Sequence, residues 1–285
     1  MDPVLADLLE LLQLERIEEN IFRGESRDIG TPQVFGGQVL GQALYAAGQT
    51  VDERHPHSLH AYFLRRGDVE APIIYEVDRA RDGASFSNRR IVAIQHGRPI
   101  FNMAASFQKE ESGIEHQADM PDVAGPEGLA DRSEVGQAAL AQLHEKLRQY
   151  LTRKRPFMVR PLKQPDILNP EKLEPVKHVW IKAVDSLPDD PILHQTLLAY
   201  VSDYELLGTA TLPHGINFAV TKMQMASLDH AMWFHHPFRV DEWLLFSFDS
   251  PSASGARGVA RCMVFTQNGK LIASSAQEGL IRVRE

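Results

Sequence analysis

A single cysteine, Cys262, stands among 285 residues, so no internal disulfide can staple the fold. That excludes the disulfide-framed secreted classes and fits a reducing compartment. Its neighbours Met263, Val264 and Phe265 predict a buried, inert thiol on a strand. No apolar run approaches the ~20 residues of a membrane span, so no membrane insertion is expected. The first residues, MDPVLADLLELLQLERIEE, carry Asp2, Asp7 and Glu10 where a secretory leader needs a basic start and an unbroken apolar stretch. Leu5, Leu8, Leu9 and Leu12 share one helical face there and predict a short amphipathic helix docked on the core. The final IRVRE does not match a peroxisomal address, and a cytoplasmic protein is expected. Positive charge is scarce as well. Thirty Lys and Arg against 38 Asp and Glu leave a net charge of −8, which argues against a nucleic-acid partner but does not exclude a small anionic ligand.

Two further absences concern chemistry. No G-x-S-x-G occurs, because Gly83-Ala84-Ser85-Phe86-Ser87 lacks the second glycine, so a serine nucleophile elbow is not expected. His230, His235 and His236 lie close together, but Trp233 and Phe234 among them read as strand core and no acid–histidine framework accompanies them. Neither a metal nor a cofactor is expected.

What the chain does contain is an echo of itself. Arg89–Ile100 reads RRIVAIQHGRPI and Arg261–Ile272 reads RCMVFTQNGKLI, an offset of 172 residues. Ser58-Leu59-His60-Ala61 returns as Ser227-Leu228-Asp229-His230-Ala231 with one residue inserted, which sets His60 against His230. Two copies of one unit follow, too large for a solenoid repeat. The cleft between such copies is a natural binding site.

Each copy reads as a helix followed by a meander. Phe35-Gly36-Gly37-Gln38 opens a helix to about Thr50, whose small face of Val39, Ala43, Ala46 and Ala47 would admit a curved sheet closely. Strands follow near His57–Leu64, Ile73–Arg79, Ser87–Gln95 and Ile100–Gln108. The second copy places a helix near Ile192–Leu206 and strands near Met223–Phe234, Trp243–Asp249, Arg257–Gln267 and Leu271–Arg284, preceded by Phe157–Leu162 and His178–Val184. His96-Gly97 and Asn268-Gly269 are hairpin turns, so the pairing is antiparallel. One helix near Ser133–Arg153 interrupts a Pro-, Gly- and acid-rich stretch. The expected organisation is therefore α+β, a double hotdog of two long helices each wrapped by an antiparallel sheet. Residues 1–111 form the first unit with its N-terminal helix, 112–156 the connector, and 157–285 the second unit.

The copies differ in polarity. FGGQVLGQALYAAGQT contains no acid, whereas ILHQTLLAYVSDYELL carries Asp203 and Glu205. Asp203 falls below Tyr200, Ala199 and Thr196 on the face expected to meet the sheet, and Glu205 points elsewhere. A carboxylate aimed into a core needs hydrogen bonds or a task; a helix-end Asp reaching solvent is the plain alternative. Ser227 stands where the first copy has His57, and Gln277 where it has Ala105. A carboxylate, a hydroxyl and an amide added to one copy point to one polar site per chain. Ser252–Gly258, with Arg257, reads either as a phosphate-approaching loop or as a strand entry with an exposed arginine. Arg153-Lys154-Arg155 reads as a solvated helix end.

The segments RGESRDIGTPQVFGGQVLGQAL, HSLHAYFLRRGD, PIIYEVDRARDGASFSNRR, LDHAMWFHHPF and SSAQEGLIR resemble the acyl-CoA thioesterase II family over nearly the whole chain. The resemblance implies hydrolysis of fatty acyl-CoA, with acyl-CoA as substrate, by a catalytic Asp, Thr and Gln. These fall on Asp203, on Ser227, where serine replaces the family's threonine, and on Gln277. It also implies homo-oligomers, tetramers included. His57 matches a histidine ranked below these three. Gly36 and Gly37 are candidates for an oxyanion hole at a helix N-terminus. Two other functions stay open: a hotdog hydratase or dehydratase using Asp229 and His230, and a non-catalytic acyl-CoA binding protein.

Overall fold

The computed structural model describes residues 1–30, 33–134, 137–164 and 166–284. Asp2 opens α1 (Pro3–Leu12) by accepting the Val4 N–H at 2.9 Å, and Pro3 takes the first helical position, where no N–H is needed. Leu5, Leu8, Leu11 and Leu12 are buried. A hairpin of β1 (Glu15–Glu18) and β2 (Ile21–Gly24) follows. Sequence periodicity missed it because every β1 residue is exposed.

The first meander is α2 (Gly36–Gly48), β3 (His55–Phe63), β4 (Ile73–Asp82), β5 (Phe86–Gln95) and β6 (Arg98–Gln108). The expected connector helix is divided into α3 (Gln137–Gln142) and α4 (Glu145–Thr152); Val135 and Gly136, within the expected span, lie outside the described residues. Then come β7 (Phe157–Pro161), β8 (Val176–Ala183), α5 (Pro191–Ser202), α6 (Leu206–Thr209), β9 (Met223–Ser227), β10 (Asp229–Phe234), β11 (Leu244–Ser254), β12 (Arg257–Thr266) and β13 (Leu271–Val283). Among the described residues the strands form one antiparallel sheet, ordered β1-β2-β4-β5-β6-β3-β10-β13-β12-β11-β8-β7, with β9 on β13. The seam between the copies is the β3–β10 pair. No described helix is long and apolar enough to cross a membrane.

Helix α2 is buried around nearly its whole circumference, by α5 on one side and by β3–β6 on the other. Val39, Ala43, Ala46 and Ala47 are all buried, as their size predicts. The closest approach, however, is between the helices. A Cβ on Gly37 would stand 2.1 Å from the Tyr200 carbonyl oxygen, so only glycine lets the start of α2 lie on the end of α5.

The ladders correct the echo by one residue. Arg89 faces Ala105 with a shift between Ala93 and Ile94, while Ala260 faces Gln277 with a shift between Val264 and Phe265. The bulges therefore align Arg89 with Ala260, not with Arg261. Burial agrees, since Arg89 and Ala260 are buried whereas Arg90 and Arg261 are exposed. The turns absorb the difference. His96-Gly97 is a two-residue turn with φ of 50° and 71°, and the second hairpin spends an extra residue, with only Gly269 left-handed at φ 87°. Beyond the turns the offset of 172 holds, and Ala105 does match Gln277.

The other echo slips too. Both copies bulge, at His57 between Pro56 and Ser58 and at Leu228 between β9 and β10. Pro56 faces Phe107 and Ser227 faces Gly279, so Ser227 stands at the level of Pro56 rather than of His57. His60 is exposed and faces Ala231 across the seam, whereas His230 is buried. A slip of one residue exchanges the two faces of a strand.

Candidate functional site

Asp203 caps the C-terminus of α5. Three elements converge on its carboxylate. Gln277 Nε2 on β13 donates to Oδ1 at 2.6 Å, Ser227 Oγ at the end of β9 donates to the same oxygen at 3.3 Å, and the Gly37 N–H at the start of α2 also donates. A helix C-terminus is an unfavourable place for an anion, and the facing N-terminus of α2 compensates. Burial lifts the Asp203 carboxyl to about 6, against the opposing pull of the bonds from Gln277, Ser227 and Gly37. The group is thus ionised at neutral pH yet basic enough to accept a proton.

Gln277 is itself held from behind. Its Nε2 lies 3.2 Å from Nδ1 of the buried His230, whose Nε2 lies 3.0 Å from Ser202 Oγ, and Ser202 donates to the Ala199 carbonyl at 2.9 Å. Since an amide nitrogen only donates, His230 Nδ1 accepts and His230 Nε2–H donates to Ser202. Burial lowers the His230 imidazole to about 4, so this neutral tautomer persists at working pH. Both amide hydrogens of Gln277 are then committed, to Asp203 and to His230. The buried Gln277 Oε1 has no protein partner.

The triad opens on a cavity of about 610 Å³ lined by apolar residues including Ile29, Phe35, Leu207, Ile216 and Met225, a size typical of small-molecule sites. Asp203, Ser227 and Gln277 are therefore brought together at one cavity wall, as the comparison of the copies predicted. His230 and Ser202 were missed as supports; the one signal was a histidine in a strand facing the core.

Other expectations are redirected. The Gly37 N–H is spent on Asp203, which removes it from the proposed oxyanion hole, and a Cβ on Gly36 would stand 2.6 Å from Asp203 Oδ2. His57 bonds Ser106 Oγ at 2.8 Å and is not among the residues lining the main cavity. Asp229 and His230 form no pair: Asp229 accepts the Glu278 N–H at 2.6 Å while His230 turns inward. Arg257 sits at an exposed hairpin tip, bridged to Glu278 at 2.9 Å and away from the cavity. Glu205 lines the same cavity, bonded to Arg132 and to Lys177, the latter at 2.8 Å. Among the described residues no three His, Cys, Asp or Glu side chains gather as a metal site. Cys262 is buried, and burial pushes its thiol well up, as expected of an inert cysteine.

The first copy shows why there is one site. The C-cap of α2 is Gln49 rather than an acid, and Pro56 and Ala105 replace Ser227 and Gln277. Arg89, in the place of Ala260, fills the space. Its guanidinium donates to Thr50 Oγ1 at 2.8 Å, to Thr50 O at 2.9 Å, to Asp82 at 2.7 Å and to the Arg81 and Asn88 carbonyls. A cation at the C-terminal end of α2 suits the helix dipole and satisfies every donor.

The Ser227 bond is long, which sets the size of its effect. Ser227→Ala is expected to lower kcat about 5–30-fold, the equivalent of ~1–2 kcal/mol for a bond to a charged group. Ser227→Thr, which keeps the hydroxyl and stiffens χ1, should stay within about 3-fold of the parent. Equal kcat for the Ala and Thr variants would exclude the hydroxyl from the site.

Residues 147–280 match the family described as acyl-CoA thioesterase, and residues 23–108 match the acyl-CoA thioesterase N-terminal domain. The chain is 44% identical to acyl-CoA thioesterase 2 of Haemophilus influenzae, with 100% of both chains covered. It is 41% identical to human acyl-coenzyme A thioesterase 8, over 96% of this chain and 88% of that one. Among solved structures, an acyl-CoA thioesterase II of Mycobacterium marinum aligns at TM-score 0.78 and 42% identity, covering 98% of each chain. A hot dog fold protein of Alicyclobacillus acidocaldarius aligns at TM-score 0.77 with 18% identity, a likeness of fold alone.

Proposed function

The chain belongs to the acyl-CoA thioesterase II family, and on that premise we propose that it hydrolyses fatty acyl-CoA to the fatty acid and coenzyme A, using a water activated by Asp203, Gln277 and Ser227. The observation that carries the reading is the meeting of a carboxylate of raised pKa with the unpartnered Gln277 Oε1 at the wall of an apolar cavity. A water there donates one hydrogen to Asp203 and the other to Gln277 Oε1, leaving a lone pair for the thioester carbonyl. Hydroxide adds to the carbonyl carbon as the proton passes to Asp203. Collapse of the tetrahedral intermediate then breaks the C–S bond, and the departing thiolate takes that proton back. A thioester has little resonance protection and a thiolate leaves readily, so one positioned base is enough. Ser227 and Gln277 hold the carboxylate still rather than react. The hydratase reading has little support, because His230 sits behind Gln277 with both ring nitrogens engaged. The proposed units remain 1–111, 112–156 and 157–285, in a cytoplasmic homo-oligomer.

A single turnover of hexanoyl-CoA in ¹⁸O-water, with enzyme in excess, tests the route. Thiol release should accompany one labelled oxygen in the fatty acid and none in Asp203. Label in the Asp203 carboxylate, or a trapped acyl adduct, would replace water attack with covalent catalysis; an enoyl product without thiol would select the hydratase.

The pH profile gives an independent check. The rate should rise with pH through about 6 as Asp203 ionises, then level off. Gln277→Ala removes a hydrogen bond that lowers the Asp203 pKa, so its acid limb should move to higher pH, with a lower plateau. An acid limb that stays in place, or moves down, would show that Gln277 does not act on the carboxylate.

A further inference from the structure

The same cavity carries a second pole that hydrolysis does not use. Arg153 and Arg155, at the end of α4, line it rather than standing as a solvated helix end, and Lys154 alone of that run is exposed. Both guanidinium groups lie over the Tyr150 ring, with Cζ 4.8 and 5.3 Å from its centroid. Stacking uses the faces of the guanidiniums; of their N–H edges, Arg155 Nη2 donates to the Tyr150 carbonyl at 3.4 Å, and the rest stay open to a ligand. The Nε atoms of both are buried with no hydrogen-bond partner, and among the described residues neither arginine has an ion pair. A buried unmatched N–H costs about 1–3 kcal/mol, so a fold that keeps two at one wall calls for a ligand.

Positive charge is in surplus at this end. Arg132 and Lys177 line the cavity too, and both are paired to the single carboxylate of Glu205. Arg132 is held down to about 10, chiefly by burial and then by the neighbouring charge of Arg155. The acids remaining on the lining are Asp166 and Glu171, which are exposed, and Asp203 of the triad. One cavity thus joins a catalytic carboxylate to a cationic wall.

We propose that Arg153 and Arg155, steadied on Tyr150, bind the phosphate groups of the coenzyme A portion of the substrate. The inference rests on the acyl-CoA reading above and adds the residues that grip the coenzyme. Planar guanidinium forks match phosphate oxygens two bonds at a time, and two forks on one ring suit a diphosphate better than a single carboxylate. An apolar acyl chain has no use for unmatched N–H donors. An acyl chain ending in a second carboxylate is the other anionic substrate such a wall could hold, and the experiment separates the two.

The Arg153→Gln/Arg155→Gln double variant should lose about 10–100-fold in kcat/KM for hexanoyl-CoA, mostly through KM, while hexanoyl-pantetheine, which lacks every phosphate, changes less than about 3-fold. Desulfo-CoA binding, measured by calorimetry, should weaken by a similar factor, and Arg155→Lys, which keeps charge without the fork, should fall between. The calorimetric arm needs no turnover, so it judges the coenzyme site even if hydrolysis itself fails. Unchanged desulfo-CoA affinity in a folded double variant overturns the assignment. So does an equal loss on the pantetheine ester, which would mark a structural role. A loss confined to the pantetheine ester of a dicarboxylic acid would transfer the wall to an acyl-end carboxylate and overturn it as well.

Discussion

Asp203→Asn should lower kcat by about 10²–10⁴, the range for removal of a positioned general base, while the protein stays folded. The amide has the shape of the carboxylate and can still accept from Gln277 and Ser227, but it cannot take a proton from water. The same substitution should raise the melting temperature above pH 6. In the folded chain the Asp203 carboxyl titrates at about 6, above its ordinary value of 3.8. Stability from a group raised in this way is fully present below the unfolded pKa and is lost as pH rises through the folded one. At pH 8 the buried charge therefore costs up to ~3 kcal/mol, at 1.36 kcal/mol per unit, and Asn does not carry that cost. Part of the gain is given back where the Gly37 N–H would face an amide nitrogen. A net gain of ~1–2 kcal/mol at pH 8, vanishing near pH 4, is expected from thermal melts. Activity like wild type would remove Asp203 from the chemistry. A variant that melts lower at pH 8 would show that the carboxylate is comfortable where it lies.

The hairpins and the four strands of the first meander were legible because each depends on local pattern. The expected helix Ile192–Leu206, by contrast, ends at Ser202 and resumes only as the short α6, and the expected strand Met223–Phe234 is broken at Leu228 into β9 and β10. The site triad was legible for a different reason: duplicated copies expose what one of them gained. Registers were not, because a strand has period two and sequence echoes are blind to a single-residue bulge. Arg89 illustrates the cost. Aligned with exposed Arg261 it looks like a repeated surface charge, whereas the ladder sets it against Ala260 as the plug of the silent half. Arg153 and Arg155 were misread because the cavity they line is built with residues distant in sequence, such as Tyr204 and Glu205. Ser202 and His230 hid for the same reason, 28 residues apart on a helix and a strand.

Substitutions along one helix separate packing from chemistry. Gly37→Ala should cost about 2–3 kcal/mol and at least ~10² in kcat. Its Cβ would meet the Tyr200 carbonyl oxygen at 2.1 Å, and because that atom is backbone, α2 and α5 must move apart as bodies. The movement draws the Gly37 N–H away from Asp203 and disturbs the 2.6 Å contact with Gln277. Gly36→Ala is milder for the fold, since its new atom meets the Asp203 carboxylate at 2.6 Å and the Phe63 ring at 3.0 Å, both of which can swing. Activity should fall there with little change in melting temperature. Gly48→Ala, at the far end of α2, meets nothing nearer than Ile192 Cγ2 at 3.6 Å. Reduced freedom of the unfolded chain should make that variant more stable by ~0.4–1 kcal/mol, with kcat unchanged. Paired melts and kcat measurements on the three variants decide the matter. If Gly37→Ala keeps both its melting temperature and its rate, the close crossing of the two helices is not what sets Asp203 against Gln277.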